Sequence, residues 1–251
     1  MKKDIQKYYS RFSDMYTKDR HPNWFKFIEN HNQKFNTLGY ICNCKFCPGS
    51  NFNKRAEHEL GHYAILQTPL HKDTKIVIVG NNNSWFDASC MEEGLKVVKS
   101  LEVGIPKRNF YTEEKSKFSR SLVKAFRNNR SYEILKNNTI GLNRTWLQTG
   151  GSSLEIRKMK DTNNGDPSLV DICHKWTEEI ISIINPQLVL LLGKEAQKLF
   201  DSNSNSSNSH KYGNFKIQHC RHPSNGGQTK FENDLMTGLV KSKLIAQSID
   251  V

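Results

Sequence analysis

The chain has 251 residues, and its 37 Lys and Arg outnumber its 25 Asp and Glu, which gives a formal net charge of +12. This excess favours a polyanionic partner, nucleic acid first. No stretch reaches the roughly 18 apolar residues that a membrane span needs, and the N-terminal sequence MKKDIQKYYSRF lacks the apolar run of a secretory signal. We expect a monomer in the cytoplasm with no membrane contact, where the six cysteines are thiols or metal ligands more than disulfides.

Residues 1–70 are predicted to form a helical segment, rich in Cys and His, that packs on the core. Three cysteines, Cys42, Cys44 and Cys47, lie within six residues of one another, a density that is typical of a metal site. His58 and His62 are four residues apart in a helical pattern, so both rings face one side of that helix. Cys44 and Cys47 together with these two histidines form one candidate zinc site of the Cys₂His₂ type.

The same helix carries the sequence HELGH, which fits the H-E-x-x-H pattern of zinc metallopeptidases. In that interpretation His58 and His62 bind zinc, and Glu59 is the general base. The longer metallopeptidase pattern is absent from the residues that follow, and Thr68-Pro69 ends the helix soon after the motif. A zinc metallopeptidase is therefore the rival enzyme class.

Residues 76–79 form a short apolar run of β-branched residues, which predicts a buried, parallel strand. The polar and aromatic residues that follow it are Gly80, Asn81, Asn82, Asn83, Ser84, Trp85 and Phe86. In an open α/β sheet, ligands bind outside the carboxyl ends of the strands. An asparagine can orient a water without carrying charge, and aromatic rings can stack on a flat ligand. The alternative is an ordinary polar turn, which asparagine also favours.

The remaining segments alternate between helix and strand. Helices are predicted over residues 88–101, within the basic stretch 109–130, over 169–184, from Gly193 and from about Lys230, and strands from Thr139 to a terminal Asn143, over 188–192 and over 215–218. The exposed side of the basic helix can meet phosphate, with a merely solvated face as the alternative. The alternation predicts an α/β fold over residues 71–251: a three-layer sandwich with a central, mostly parallel sheet and helices on both faces.

Two polar motifs follow predicted strands, Gly80-Asn81-Asn82 and His222-Pro223-Ser224. In their order and strand context they resemble the loops of the uracil-DNA glycosylase superfamily, a G-x-[DN]-P-type loop after the first central strand and an H-P-S-type loop after the last. The stretches NPQLVLLLGKEAQKLF and TIGLN also resemble that family, and the resemblance covers about residues 75–240. Asn83 and Ser84 replace the usual proline and glycine. Asn82 replaces the acidic water-activating residue, as in the mismatch-type and single-strand-selective branches.

This resemblance implies a monofunctional DNA glycosylase, a hydrolase that flips a pyrimidine out of the DNA and leaves an abasic site. Asn82 would hold the attacking water, and His222 would donate a hydrogen bond to the departing base. Asn143 would bond the Watson–Crick edge of that base. The base site would also include Asn81, Trp85 and Phe86. The DNA contacts would come from Ser84, Arg221 and Ser224.

The cysteines are similar to those of the iron–sulfur branch of the same superfamily. That branch has an early C-x-x-C, matched by Cys44 and Cys47, and a cysteine just before the helix that precedes the N-P strand, matched by Cys173. Its remaining ligand has no counterpart in this chain, and Cys42 is the substitute. Four thiolates suit either a 4Fe-4S cluster or a structural zinc. The predicted ligands are therefore Cys42, Cys44, Cys47 and Cys173, with the Cys₂His₂ site as the alternative.

The missing proline and the run of asparagine and serine groups beside the base site favour a substrate with polar substituents. The candidates are uracil, a mismatched base, or a modified pyrimidine such as the glucosylated 5-hydroxymethylcytosine of phage DNA. Base excision would then serve DNA repair or antiviral defence. A glycosylase fold that has lost catalysis and only binds modified DNA is a further alternative.

Overall fold

The protein is described by a computed structural model, in which the described residues are 1–15, 66–84, 109–114, 116–149, 169–200, 214–223 and 227–246. Several predicted features lie outside these residues. They are Cys42, Cys44, Cys47, the HELGH segment with His58, Glu59 and His62, Trp85 and Phe86, the helix over residues 88–101, and Ser224.

The centre of the fold is a four-stranded sheet in the order β2-β1-β3-β4, in which every pairing is parallel. The strands are β1 (Ile76–Ser84), β2 (Thr139–Thr149), β3 (Leu188–Leu192) and β4 (Lys216–Cys220). β3 is buried at every position, as expected for a parallel strand that is covered on both faces. The predicted α/β class is therefore confirmed.

Helices cover both faces of this sheet. They are α1 (Lys2–Met15), α2 (Lys117–Asn128), α3 (Tyr132–Asn137), α4 (Leu169–Ile184), the short α5 (Gly193–Ala196) and α6 (Gln228–Lys241). Val77 and Val79 pack with apolar residues of α1, α4 and α5, whereas Ile76 and Ile78 pack with α2, α3 and α6. This alternation follows from the two-residue period of a strand, and it confirms the three-layer sandwich.

Residues 66–68 cover the outer edge of β2. The backbone N–H of Gln67 donates to the carbonyl oxygen of Gly141 at 2.8 Å, and the N–H of Gly141 donates to Thr68 Oγ1 at 2.9 Å. Leu66 forms an isolated antiparallel bridge with Leu142. The exposed edge of a sheet is a template for unwanted pairing, and a short covering segment blocks it.

The strand boundaries correct two predictions about the polar segments. The asparagines after Gly80 do not form a loop, because β1 continues through them to Ser84; Asn82 pairs with Thr145. Asn143 is not at a strand end, because β2 continues to Thr149. Both strands run past the end of β3 and satisfy their backbone groups by pairing with each other, which outweighs the local preference of asparagine for turns. The register shifts between Asn82 and Asn83, where the partner changes from Thr145 to Gln148.

Three smaller boundaries also differ from prediction. The helix that begins at Gly193 ends at Ala196, and the chain continues to Phe200 as turns rather than as helix. β4 extends to Cys220 instead of ending at Gln218. α6 begins at Gln228, slightly before the predicted start. Within the described part of the chain, no helix is long and apolar enough to cross a membrane.

Candidate functional site

β3 and β4 end at Leu192 and Cys220, whereas β1 and β2 continue past that level of the sheet. Asn143 on β2 is paired with Gly80 on β1, and Leu192 on β3 is paired with Cys220 on β4. We call these four residues the edge row. Leu192 and Cys220 belong to the core beneath α2 and α6, and residues opposite each other in register share a face of the sheet. The edge row therefore faces the α2 side.

Gly80 allows the Asn143 amide to lie against the backbone of β1. A Cβ atom at position 80 would stand 2.7 Å from Asn143 Oδ1, closer than such atoms approach. Asn143 is only 3% exposed, and its backbone carbonyl accepts a hydrogen bond from Thr177 Oγ1 on α4 at 3.2 Å. The backbone of Asn143 is thus held by α4, and a ligand can reach its buried amide only by entering the protein.

His222 follows β4 directly and projects beyond the edge row. It is half-buried, and its ring packs on that of Phe118 with centroids 5.3 Å apart and planes tilted by 36°. Burial lowers the pKa of His222 from its ordinary value of 6.5, because desolvation disfavours the charged imidazolium. The imidazole is therefore neutral near pH 7, with one nitrogen able to donate and the other to accept.

A row of rings connects His222 with β2. Phe118, in the first turn of α2, also meets Tyr111 edge-to-face at 5.6 Å. Tyr111 lies over Gly141 so closely that a Cβ atom there would stand 2.3 Å from the phenol oxygen and 2.4 Å from the ring carbon that bears it. The glycine within a strand thus marks a close approach. These ring contacts determine the position of the first turn of α2 over the sheet. They therefore also determine the position of the surface beside His222.

The turn at α5 connects β2 and β4 at the same edge. Arg144 Nη1 and Glu195 Oε2 are 3.5 Å apart and both side chains are buried, while Lys198 Nζ also approaches Glu195 at 3.2 Å. Gln197 Nε2 donates to the carbonyl oxygen of Cys220 at 3.2 Å. Because this turn is tied to a strand on each side of it, it fixes the spacing between the edge row and the segment that carries His222.

Gly193 opens that turn with a φ of +77°, and a Cβ atom there would be 3.7 Å from His222 Cβ. The distance is an ordinary van der Waals contact, so glycine is required for its positive φ rather than for space. A side chain at position 193 would therefore contact His222, but the positive φ leaves little choice of residue there.

The other predicted site residues lie at the same edge where the structure describes them. Arg221 has an exposed side chain, and its backbone N–H donates to Asp234 Oδ2 on α6 at 3.1 Å. Asn81, Asn82 and Ser84 lie in the extension of β1. Trp85, Phe86 and Ser224 lie outside the described residues.

The cysteines occupy two different environments. Cys173 is fully buried on α4 among core residues that include Ile5 of α1. Cys220 is buried in the edge row, and burial together with the charge of Asp234 raises the pKa of its thiol, so it stays protonated and unreactive. Among the described residues, no group of three or more His, Cys, Asp or Glu side chains could hold a metal ion. The three other predicted cysteine ligands are outside this part of the chain.

The sequence alone did not identify Tyr111, Gly141, Glu195 or the site contact of Phe118 as parts of the site. The one available signal was Gly141, a glycine in the middle of an otherwise bulky strand sequence, which often marks a close approach. No protein-family model matches the chain, and no curated protein matches it. The chemical groups of the site are a buried amide, Asn143 in the edge row, and a neutral imidazole, His222 just beyond that row.

Proposed function

We propose that the chain is a monofunctional DNA glycosylase, which hydrolyses the N-glycosidic bond of a flipped pyrimidine and leaves an abasic site. One observation carries this proposal: the buried amide of Asn143 lies in the edge row, level with the ends of β3 and β4, and the neutral imidazole of His222 follows the end of β4. The edge of such a sheet is the usual place for a ligand. We further propose that the protein acts as a monomer in the cytoplasm, on double-stranded or single-stranded DNA.

The burial of Asn143 suits a flipped base better than a base in a groove. A base inside a duplex cannot be reached by an enzyme that changes it, so the nucleotide turns out into a pocket. Asn143 is 3% exposed, so a ligand that touches it must be enclosed. Its side-chain amide offers one acceptor and two donors, and such a group can pair with the donor and acceptor on the edge of a pyrimidine.

The state of His222 suits the departure of that base. Cleavage of the N-glycosidic bond leaves negative charge on the pyrimidine and positive charge on the sugar. A fixed N–H donor near the pyrimidine O2 stabilises the developing anion most strongly where water is excluded. The lowered pKa of His222 means that the donor near pH 7 is the neutral ring, with one N–H. We assign Asn82 to the attacking water, which it would position rather than deprotonate.

The spacing of the strands agrees with this division of roles. β1 and β4 are separated by β3 alone, so at about 4.8 Å between neighbouring strands they lie roughly 10 Å apart. A base and its sugar side by side have a comparable length. Asn82 on β1 would then hold the water, and Asn143 on β2, roughly 14 Å from β4, would hold the far edge of the base, while His222 and Arg221 approach from the end of β4.

For the substrate we propose uracil, a mismatched base or a modified pyrimidine, including glucosylated 5-hydroxymethylcytosine of phage DNA. The reason is the polar sequence of the β1 extension, in which Asn83 and Ser84 stand where a rigid Pro-Gly pair would narrow the pocket. An apolar wall excludes an additional methyl group by only about 1–3 kcal/mol, whereas amide and hydroxyl groups can bond polar substituents. Base excision of this kind would serve repair or defence against phage.

A metal site is a separate proposal. Cys42, Cys44, Cys47 and Cys173 would hold a 4Fe-4S cluster or, failing that, a structural zinc. Cys173 is fully buried, which suits a ligand that is shielded from solvent and has a structural role. When bound, such a metal would tie residues 42–47 to α4. Elemental analysis of the anaerobically purified protein would overturn the proposal if it found neither iron nor zinc.

The deciding experiment compares excision on duplexes that contain uracil, mispaired thymine, 5-hydroxymethylcytosine or its glucosylated form, followed by alkaline cleavage of abasic sites. H222A should lower the single-turnover rate by roughly 10²–10³-fold, as expected for the loss of one such donor. H219A is the matched control, because His219 is an exposed histidine on the same strand, and it should retain the rate.

Each contrary outcome has a distinct meaning. No strand scission on any of the four duplexes would count against the glycosylase. Tight binding of modified DNA without an abasic product would identify a binding module instead. An equal loss in H219A and H222A would show that the histidine effect is not specific to the site.

A further inference from the structure

The exposed side of α2 is basic along its whole length. Lys117, Arg120, Lys124 and Arg127 are exposed, the helix contains no acidic residue, and Asn128 is its one other exposed position. At 3.6 residues per turn, the spacings of three, four and three residues keep the four side chains within roughly a quarter of the helix circumference. The opposite side is apolar and buried against the sheet and α6. A face with a single sign of charge differs from the mixed signs of an ordinary solvated helix.

These charges work against the helix that carries them. Lys117 and Arg120 lie in the first turn, which has no acidic residue, and positive charge there opposes the positive end of the helix dipole. Like charges three or four positions apart also repel each other. A capping box formed by Ser116 and Ser119 stabilises this end instead. The charges therefore do not serve the stability of α2.

The four basic residues are not equivalent. Arg127 pairs with Glu114 at 2.8 Å and lies 4.9 Å from the ring centroid of Tyr132, so its charge is compensated within the protein. Arg120 is exposed and donates to the carbonyl oxygen of Glu114 at 3.4 Å. Neither Lys117 nor Lys124 has an acidic partner among the described residues. We call Lys117, Arg120 and Lys124 the α2 basic face.

The α2 basic face begins beside the candidate site. Phe118, next to Lys117, is the residue whose ring packs on His222. From Lys117 to Lys124 the face follows the helix for seven residue steps, or about 10.5 Å at 1.5 Å per residue. With one phosphate per about 3.4 Å of each DNA strand, this length corresponds to roughly three phosphates.

We propose that the α2 basic face binds the phosphates of the DNA strand that carries the flipped nucleotide, on one side of that nucleotide. The placement rests on the proposed function, because it takes His222 as the position of the target. The binding itself needs only a polyanion along α2. The face would hold the strand while the target nucleotide leaves the duplex, and it would contribute to affinity rather than to the bond cleavage.

The test is the salt dependence of DNA binding by K117Q/R120Q/K124Q, measured by fluorescence anisotropy on a duplex without a cleavable base. Three lost phosphate contacts should reduce the slope of log K against log salt by about 2.7, at roughly 0.9 per contact. K2Q/K3Q/K175Q is the matched control, since these three lysines are exposed on α1 and α4, on the opposite face of the sheet. R127Q is a second control. It should change the slope by much less than the roughly 0.9 that the loss of one phosphate contact causes.

Unfolding cannot imitate this result. Removing Lys117 and Arg120 relieves the conflict with the helix dipole, so the melting temperature of the triple variant should be unchanged or higher. A triple variant with the wild-type salt slope, or a control variant with an equal loss of slope, would overturn the proposal. This readout does not use excision, so a failure of the glycosylase assay leaves it intact.

The position on the strand is tested with neutral methylphosphonates. Substituting about three phosphates next to the target, first on one side and then on the other, should abolish the affinity difference between the wild type and the triple variant on one side only. The same loss on both sides, or on neither, would contradict the placement beside the flipped nucleotide.

Discussion

The imidazole of His222 is half-buried against Phe118, and this contact sets both its position and its charge. Burial alone lowers its pKa. Just below pH 6.5 this histidine is neutral in the folded protein, whereas the same residue in the unfolded chain binds a proton. The free energy of unfolding therefore decreases as the pH falls. The same contact thus links the proposed donor to a measurable pH dependence.

We predict that the excision rate is constant near pH 7 and falls on the acid side, with an apparent pKa below 6.5, because only the neutral ring leaves the base site free of charge. F118L should move this acid limb upward towards 6.5, since a smaller side chain admits water to the ring. The measurement is a single-turnover pH profile of both proteins. An unchanged acid limb in F118L would show that another group controls it.

Stability gives an independent check with a defined sign. The folded pKa of His222 is below the unfolded value of about 6.5, so its contribution is fully present above 6.5 and is lost as the pH falls towards the folded pKa. His71 has a pKa lowered by burial as well and acts in the same direction. The difference in unfolding free energy between wild type and H222N therefore isolates His222. This difference should change as the pH falls from 6.5 to the folded pKa of His222.

At this scale the sequence indicates His222 and Asn143 but not their surroundings. Asn143 is predicted from the apolar strand before it and His222 from the loop that resembles the glycosylase family; His222 follows β4, whereas β2 continues six residues beyond Asn143. Their neighbours Phe118 and Gly141 are distant in the sequence, and a contact between distant residues leaves no periodic signal. The same reason explains why Glu195, which pairs with Arg144 across 51 positions, could not be predicted.

Among the elements, β2 depends on the contact between Gly141 and Tyr111. The ring of Tyr111 occupies the space where a side chain at position 141 would begin, and Tyr111 is 3% exposed. The ring is rigid and packed against Phe118, so it cannot move aside cheaply. An additional methyl group must therefore displace the ring or the strand.

We predict that G141A destabilises the protein by about 1–3 kcal/mol, the usual cost of overpacking a core. In a Y111A background the same substitution should cost close to nothing, because the clashing ring is gone. The coupling energy from urea unfolding of the four proteins in this cycle measures the contact directly. If G141A cost the same in both backgrounds, the ring would not be the reason for the glycine.

The elements themselves were largely predictable where one pattern dominated. α4 (Leu169–Ile184) and β3 (Leu188–Leu192) have the predicted bounds, because a helical apolar period ending at Asn185-Pro186 and a run of five apolar residues each allow one interpretation. The extension of β1 through three asparagines was predicted wrongly as a loop. It depends on β2 as a partner, and a pairing partner cannot be inferred from the preference of the asparagines themselves.

On the scale of the whole molecule, the N-terminal helix belongs to the same core as α4. Ile5 and Tyr8 of α1 are buried with Val77 and Val79 of the sheet, and Tyr8 meets Trp176 edge-to-face at 5.6 Å. The Tyr8 hydroxyl donates to Glu179 Oε2 at 2.8 Å, across 171 positions of sequence. α1 is therefore part of the core on this face of the sheet.

The same contact determines how the protein responds to alkali. Burial, with the hydrogen bond and charge of Glu179, raises the pKa of Tyr8 from 10.0 to about 12. The unfolded chain loses this proton near pH 10 while the folded protein keeps it, so the contribution of Tyr8 is fully present below pH 10 and is lost as the pH rises towards 12. We predict that Y8F, which keeps the ring and removes the hydroxyl, lowers the unfolding free energy by about 1 kcal/mol at neutral pH, the typical value of one hydrogen bond. Urea unfolding of both proteins from pH 7 to pH 11 should show a difference that is constant up to pH 9 and shrinks above 10. A difference that stayed constant to pH 11, or that grew, would mean that the hydroxyl of Tyr8 does not keep its proton through its bond to α4.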